Sequence, residues 1–129
     1  MVKFETLIND GYNFFTGVPD SGLKYFINDI IKSNYKHIVA TNEGQAVGIA
    51  VGAELIGKKT CIYLQNSGLG NIINPLTSLC IPHNIKPLLV IGHRHTLPQH
   101  KVMGDVDEEL LKLIGYSNYI IVSGDNNVE

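Results

Sequence analysis

Residues 60–64, Thr60-Cys61-Ile62-Tyr63-Leu64, form an apolar run of strand length with no polar alternation. A strand with one face in water alternates, whereas a continuous apolar run suits a strand covered on both faces. This run therefore calls for a layer above and a layer below a sheet. The neighbouring chain supplies candidates for those layers. Leu23, Phe26, Ile27, Ile30 and Ile31 recur at helical spacing before it, and Leu69, Ile72, Ile73, Leu76 and Leu79 recur after it.

The same alternation of elements runs through the chain. Phe4, Leu7 and Ile8 give a first helix stripe, ended by Asp10-Gly11. Strand-like runs follow at 12–16, 35–39, 60–64, 88–91 and 119–122. Residues 107–114 give a last helix, with Asp107, Glu108 and Glu109 first, Lys112 late and Gly115 after it. Pro75 lies inside an apolar stripe, so that helix either kinks or is replaced there by another. The expected fold class is α/β, an open and mainly parallel sheet with helices on both faces. With 129 residues the chain suits one domain with a real core.

Polar segments at 17–22, 41–43, 65–71 and 92–100 each follow a strand. In an open α/β sheet such segments share one edge, and ligands bind there. Charge narrows the ligand class. The net charge is -2 and the sequence has no basic run, which disfavours nucleic acid. The apolar runs are broken by Gly, Pro or polar residues, so no membrane span is expected. Met1-Val2-Lys3 leads into an amphipathic helix without a signal peptide, and Cys61 and Cys80 suit reduced core thiols; a cytoplasmic setting follows.

Within these segments, Thr41-Asn42-Glu43-Gly44-Gln45 sits where a strand gives way to a helix. An acid at that point is favoured by the helix dipole whatever its function. Gly44, Gly48 and Gly52 then fall on one helix face. Each glycine costs about 1 kcal/mol against alanine in a helix. The stripe suits close approach of another helix, a second chain or a flat cofactor. In the first loop Asp20 or Ser21 is placed to cap a helix. Gln65, Asn66 and Ser67 offer amide and hydroxyl groups that bind a polar ligand without added charge.

Several common chemistries lack their motifs. The sequence has no phosphate-binding Gly-Lys-Ser/Thr loop, and Gly68-Leu69-Gly70 lacks the third glycine of a dinucleotide fingerprint. Ser67 lacks the flanks of a nucleophile elbow. His93, His95 and His100 are close in sequence but suit a polar loop better than a metal site, so no metal ligand is assigned.

Four blocks together carry a resemblance. Phe14-Phe15-Thr16-Gly17-Val18-Pro19-Asp20-Ser21, Asn42-Glu43-Gly44-Gln45-Ala46-Val47, Gln65-Asn66-Ser67-Gly68-Leu69-Gly70-Asn71 with Asn74-Pro75-Leu76-Thr77-Ser78-Leu79, and Pro98-Gln99-His100 occur in order. They resemble the N-terminal pyrimidine-binding domain of phosphonopyruvate decarboxylases, which depend on thiamine diphosphate. They also resemble the alpha subunit of sulfopyruvate decarboxylases, which is such a domain alone. The likeness covers residues 3–122.

The resemblance implies that Glu43 shares a proton with N1′ of the cofactor's aminopyrimidine. It puts Gly44, Gln65 and Asn66 on the cofactor side. Pro19, Ser21, Ser67, Arg94 and Gln99 fall on the substrate side, with Asp20 and His100 as proton-transfer candidates. Arg94 suits an anionic head group because guanidinium donates parallel hydrogen bonds; the plainer alternative is a solvent-exposed loop charge. Burial is expected to raise the Glu43 pKa. The implied substrate is a small anionic 2-oxo acid, foremost phosphonopyruvate, giving phosphonoacetaldehyde and CO2, with 3-sulfopyruvate as the alternative. A non-catalytic interaction module is the competing class.

The family's diphosphate-binding domain, with its Gly-Asp-Gly segment and Mg²⁺, has no counterpart here, since Gly124-Asp125-Asn126-Asn127 leads only to Glu129. Residues 1–129 are thus expected to be a pyrimidine-binding domain lacking its last helix. It would act with a separate diphosphate-domain chain in a hetero-oligomer, or as a dimer of pyrimidine domains. The segment from His93 to His100 is shorter than in typical phosphonopyruvate enzymes, which bears on the substrate pocket.

Overall fold

The computed structural model describes residues 2–123, so the expectation placed on Gly124–Glu129 lies outside the described residues. Five parallel strands form one sheet: β1 (Phe14–Gly17), β2 (Lys36–Val39), β3 (Thr60–Gln65), β4 (Leu88–His93) and β5 (Tyr119–Ser123), in the order β2-β1-β3-β4-β5. Every strand pair is parallel. Strand order reverses between β1 and β3, the place where an open sheet of this kind leaves a crevice.

Side-chain alternation along the central strands builds two cores. Ile62, Leu64, Leu89 and Ile91 face Ala46, Val47, Ala50 and Val51 of α3 (Glu43–Leu55), Leu76 beyond α4 (Ile73–Pro75), and Leu111 of α5 (Pro98–Ile114). Cys61, Tyr63, Leu88 and Val90 face Leu7 of α1 (Phe4–Asn9) and Phe26, Ile27 and Ile30 of α2 (Lys24–Lys32). The unalternating run at residues 60–64 is buried throughout. Parallel crossovers place helices on both faces, which is why both faces of β3 must be apolar.

Two helices differ from expectation, and a third takes one of its two expected forms. Ile31 is 62% exposed, because it lies one residue, about 100° of helix, past Ile30 and so leaves the α2 core stripe. At Pro75 the second of the two alternatives holds: α4 ends there and a π-helix over Leu76–Cys80 takes its place, with Ile81 N–H donating to Leu76 C=O. Proline removes a normal helical donor, and a wider turn re-pairs the backbone. The last helix starts at Pro98 rather than Asp107. Proline fits the first helical position because its missing N–H would be unpaired there anyway. Gly115 ends α5 in the left-handed region at φ 79, as its position suggested.

Gly17 has a packing reason. A Cβ there would lie 2.6 Å from Tyr63 Cδ2. Without it, the buried Tyr63 ring packs against the β1 backbone and reaches His37 on β2, with 2.6 Å between the hydroxyl and Nε2. Burial pushes the Tyr63 phenol up to about 12 and lowers the His37 pKa. Among the described residues no helix is long and apolar enough to cross a membrane.

Candidate functional site

The C-terminal ends of β1, β3 and β4 converge on one polar network. Asp20 occupies the position before a short 3₁₀ turn, Ser21–Leu23, but its side chain makes no capping bond. Its Oδ1 instead accepts from Arg94 Nη2 at 2.9 Å, Arg94 Nε at 3.2 Å and Gln65 Nε2 at 3.1 Å. Arg94 Nη2 also donates to Ser21 Oγ at 2.6 Å. Arg94 is only 6% exposed and Asp20 7%, so the solvent-exposed reading of Arg94 fails. The pair is buried because each charge compensates the other. Asp20 Oδ2 is buried with no hydrogen bond. It fits beside Gly92, where a Cβ would lie 2.4 Å away.

Gln65 and Ser67 continue this surface: Ser67 Oγ donates to Gln65 Oε1 at 2.5 Å. Asn66 turns inward and is 1% exposed. Its amide donates to Arg94 C=O and to Asp107 Oδ2, while its Oδ1 accepts from Arg94 N–H. Asn66 therefore ties the ends of β3 and β4 together. Residues 66–71, expected as a loop, form a 3₁₀ turn.

Glu43 is the first residue of α3, just after Asn42, whose side chain caps the helix by accepting from Gln45 N–H at 2.9 Å. Such a cap is worth about 1 kcal/mol. The Glu43 carboxylate is half-buried. Its Oε2 accepts from Asn71 Nδ2 at 2.8 Å, and its stem lies against Gly68, where a Cβ would fall 2.5 Å from Cγ. Oε1 carries no hydrogen bond among the described residues and is the acceptor left for a ligand. Gly44 lies beside Asn71 C=O and the Asn42 side chain, whereas Gly48 and Gly52 have no neighbour within 4 Å of a built Cβ. The glycine stripe thus meets nothing within the described residues along most of its length.

The segment expected as a long loop at 92–100 is mostly structured. Gly92 and His93 belong to β4, and Pro98, Gln99 and His100 form the first turn of α5. Pro19, Ser21, Ser67, Pro98 and Gln99 are exposed, and His100 is half-buried with its Nδ1 atom unpartnered. Among the described residues no group of three or more His, Cys, Asp or Glu is suited to a metal ion. A concavity lined by α1, α2 and the end of β5 has Gly22 and Leu23, from the turn after Asp20, in its wall.

No family model matches the chain. It is 39% identical over 121 residues to sulfopyruvate decarboxylase subunit alpha of Methanocaldococcus jannaschii, covering 90% of this chain and 72% of that protein. The chain belongs to the family of the sulfopyruvate and phosphonopyruvate decarboxylases.

The corresponding alpha subunit of Methanococcus maripaludis is 37% identical over 97 residues, covering 74% of this chain and 58% of that protein. Phosphonopyruvate decarboxylase of Streptomyces viridochromogenes is 39% identical over 109 residues, covering 80% of this chain and 28% of that protein. The chain thus spans 58% and 72% of these two alpha subunits and a much smaller share of the single-chain decarboxylase. Three residues that hold this edge together carry no site role in the sequence: Asn42, which caps α3, Asn71, which holds Glu43, and Asp107, which reads there as a first-turn acid. An asparagine just ahead of a glycine-rich helix is a signal that could have marked Asn42.

Proposed function

We propose that this chain is the pyrimidine-binding part of a thiamine-diphosphate-dependent 2-oxo acid decarboxylase. The observation that carries the reading is Glu43: a half-buried carboxylate at a helix start, with one oxygen held by Asn71 and the other unbonded. That arrangement fits a proton shared with a ring nitrogen. Gly68 leaves the carboxylate lying against bare backbone, which suits a flat heterocycle. When bound, the cofactor supplies the carbon nucleophile and the electron sink that loss of CO2 requires.

This chain's residues would divide the remaining work. Glu43 Oε1 holds the proton at the pyrimidine nitrogen, and Gly44 and Gln65 line the cofactor side, with Asn66 fixing the loop behind Gln65. Asp20, Pro19, Ser21, Ser67, Gln99 and His100 line the substrate side. Arg94 acts there through Asp20 and Ser21, to which it is already bonded. Mg²⁺ and the diphosphate would be held by a diphosphate-binding domain on a separate subunit. The alpha-subunit names of the relatives support such a hetero-oligomer.

Phosphonopyruvate is the proposed substrate, converted to phosphonoacetaldehyde and CO2. The segments Gly17–Ser21 and Asn42–Gly44 support it by their likeness to phosphonopyruvate enzymes. A second reading, 3-sulfopyruvate, is favoured by the match to separate alpha subunits. The deciding experiment measures CO2 release from each acid by this chain with its diphosphate-domain partner, thiamine diphosphate and Mg²⁺. Release from one acid names the substrate. A complex that binds the cofactor yet releases CO2 from neither would sink both named substrates and point to another 2-oxo acid, and release from no 2-oxo acid at all would sink the proposal.

A further inference from the structure

His93 ends β4, and its Nδ1 lies 2.5 Å from Asp107 Oδ2 on α5. Asp107 is 4% exposed. A buried carboxylate needs donors and a countercharge. Its donors are the Asn66 amide at 3.1 Å and the Glu108 N–H at 2.7 Å. Among the described residues, His93 is its only ionisable partner. The contact fixes the imidazole: with Nδ1–H donated to Asp107, Nε2 is the nitrogen left for proton traffic. Nε2 makes no hydrogen bond among the described residues. The His95 ring stacks on it, with centroids 5.9 Å apart, and is itself held by Asp105.

The position is as informative as the pairing. Asn66 starts the 3₁₀ turn whose later residues, Gly68 and Asn71, touch Glu43. One short turn therefore links the Glu43 carboxylate to the His93–Asp107 pair. We propose that His93, oriented by Asp107, is the proton donor that completes the decarboxylation, an inference that rests on the function proposed above.

The balance is R–CO–COO⁻ + H⁺ → R–CHO + CO2. Cleavage of the C–C bond leaves its electron pair on the former carbonyl carbon, and one proton must reach that carbon to form the aldehyde C–H bond. His93 Nε2–H supplies that proton and Nε2 takes another from water, with no net oxidation. Asp107 is a positioning residue whose carboxylate supports the doubly protonated ring and fixes its plane.

Two readouts test this. In the full chain, ¹⁵N-resolved NMR should show a downfield Nδ1 proton on His93 that disappears in Asp107→Asn. A proton resident on Nε2 and absent from Nδ1 would overturn the orientation. In the assembled decarboxylase, single-turnover quenching should show that His93→Gln and His93→Asn release the first CO2 normally. Their aldehyde should form about 10²-fold more slowly or worse, and added imidazole should restore part of the rate in His93→Ala. Asp107→Asn should shift the pH profile of aldehyde formation. The two side-chain replacements are run together, with thermal melts, so that a folding defect in one does not decide the result. Aldehyde formation that keeps pace with CO2 in folded variants would overturn the donor assignment alone. Failure of the wild-type complex to release CO2 from any 2-oxo acid would remove the functional reading and this inference with it.

Discussion

Glu43 rests directly on the backbone of Gly68: a Cβ built on Gly68 would lie 2.5 Å from both Cγ and Oε1 of the glutamate. The carboxylate that begins α3 is therefore aimed by a residue with no side chain, in the turn after β3. Gly68→Ala should push Glu43 off its position. We expect a stability loss of about 1–3 kcal/mol from overpacking. The loss in CO2 release should exceed what the unfolded fraction explains. Unchanged turnover in a folded Gly68→Ala complex would show that the Glu43 position is not set there.

Glu43→Gln isolates the proton from the shape. The amide keeps an oxygen that can accept from Asn71 Nδ2, so the fold and assembly should persist. It has no acidic proton to share, and turnover should fall by roughly 10²–10⁴-fold. Steady-state CO2 release beside a thermal melt makes the comparison. Full activity would end the proton-sharing role.

Arg94→Met should be the most damaging single change at the sheet edge. It would leave the Asp20 carboxylate buried without its countercharge, and the buried-pair precedent is a loss of about 3–5 kcal/mol. Asp20→Asn in the same background should recover part of it, since the stranded charge is gone. Arg94→Lys should not restore the wild-type melt, because an ammonium cannot reproduce the Nε and Nη2 contacts to Asp20 together with the Ser21 bond. Denaturant melts of the four chains suffice, and equal midpoints would refute the argument.

Acid should weaken the β2 side of the sheet through His37. Its folded pKa is lowered by burial beside the Tyr63 hydroxyl. The unfolded chain then binds more protons than the folded one between the folded value and the usual value of about 6.5. This contribution is complete above about pH 6.5 and is lost as pH falls toward the folded pKa. His37→Gln should flatten that part of a melting-temperature profile taken from pH 5 to 8. A profile of unchanged slope would count against it.

The sheet was legible because apolar runs mark parallel strands well. Residues 60–64 and 88–91 announced buried strands, and both are buried on each face. The strand-to-helix junction at Glu43 was legible too, and Glu43 is the first residue of α3. What stayed hidden depended on distant partners. Asp107 looked like a first-turn acid, but α5 begins at Pro98, so Asp107 is mid-helix and turned inward to His93. Gly104 breaks the apolar pattern of α5, and its reason is tertiary: a Cβ would lie 2.5 Å from Arg94 C=O. Asp20 had a ready local role as a cap, yet a buried guanidinium contributed from the end of β4 outcompetes the backbone for it. Ile31 shared the helix stripe in sequence, but the sheet covers only the side that carries Ile30.

The strand order also sets a timetable. β1 lies between β2 and β3, so it cannot gain its second neighbour until the chain has been made beyond Gln65. Asp20 must wait longer still, because its guanidinium arrives only with the end of β4. A growing chain emerges N-terminus first, at about 5–20 residues per second. For several seconds the nascent protein therefore holds a carboxylate that it cannot bury. The edge that would meet the cofactor is thus an all-or-nothing assembly, closed only when the two halves of the sheet have met.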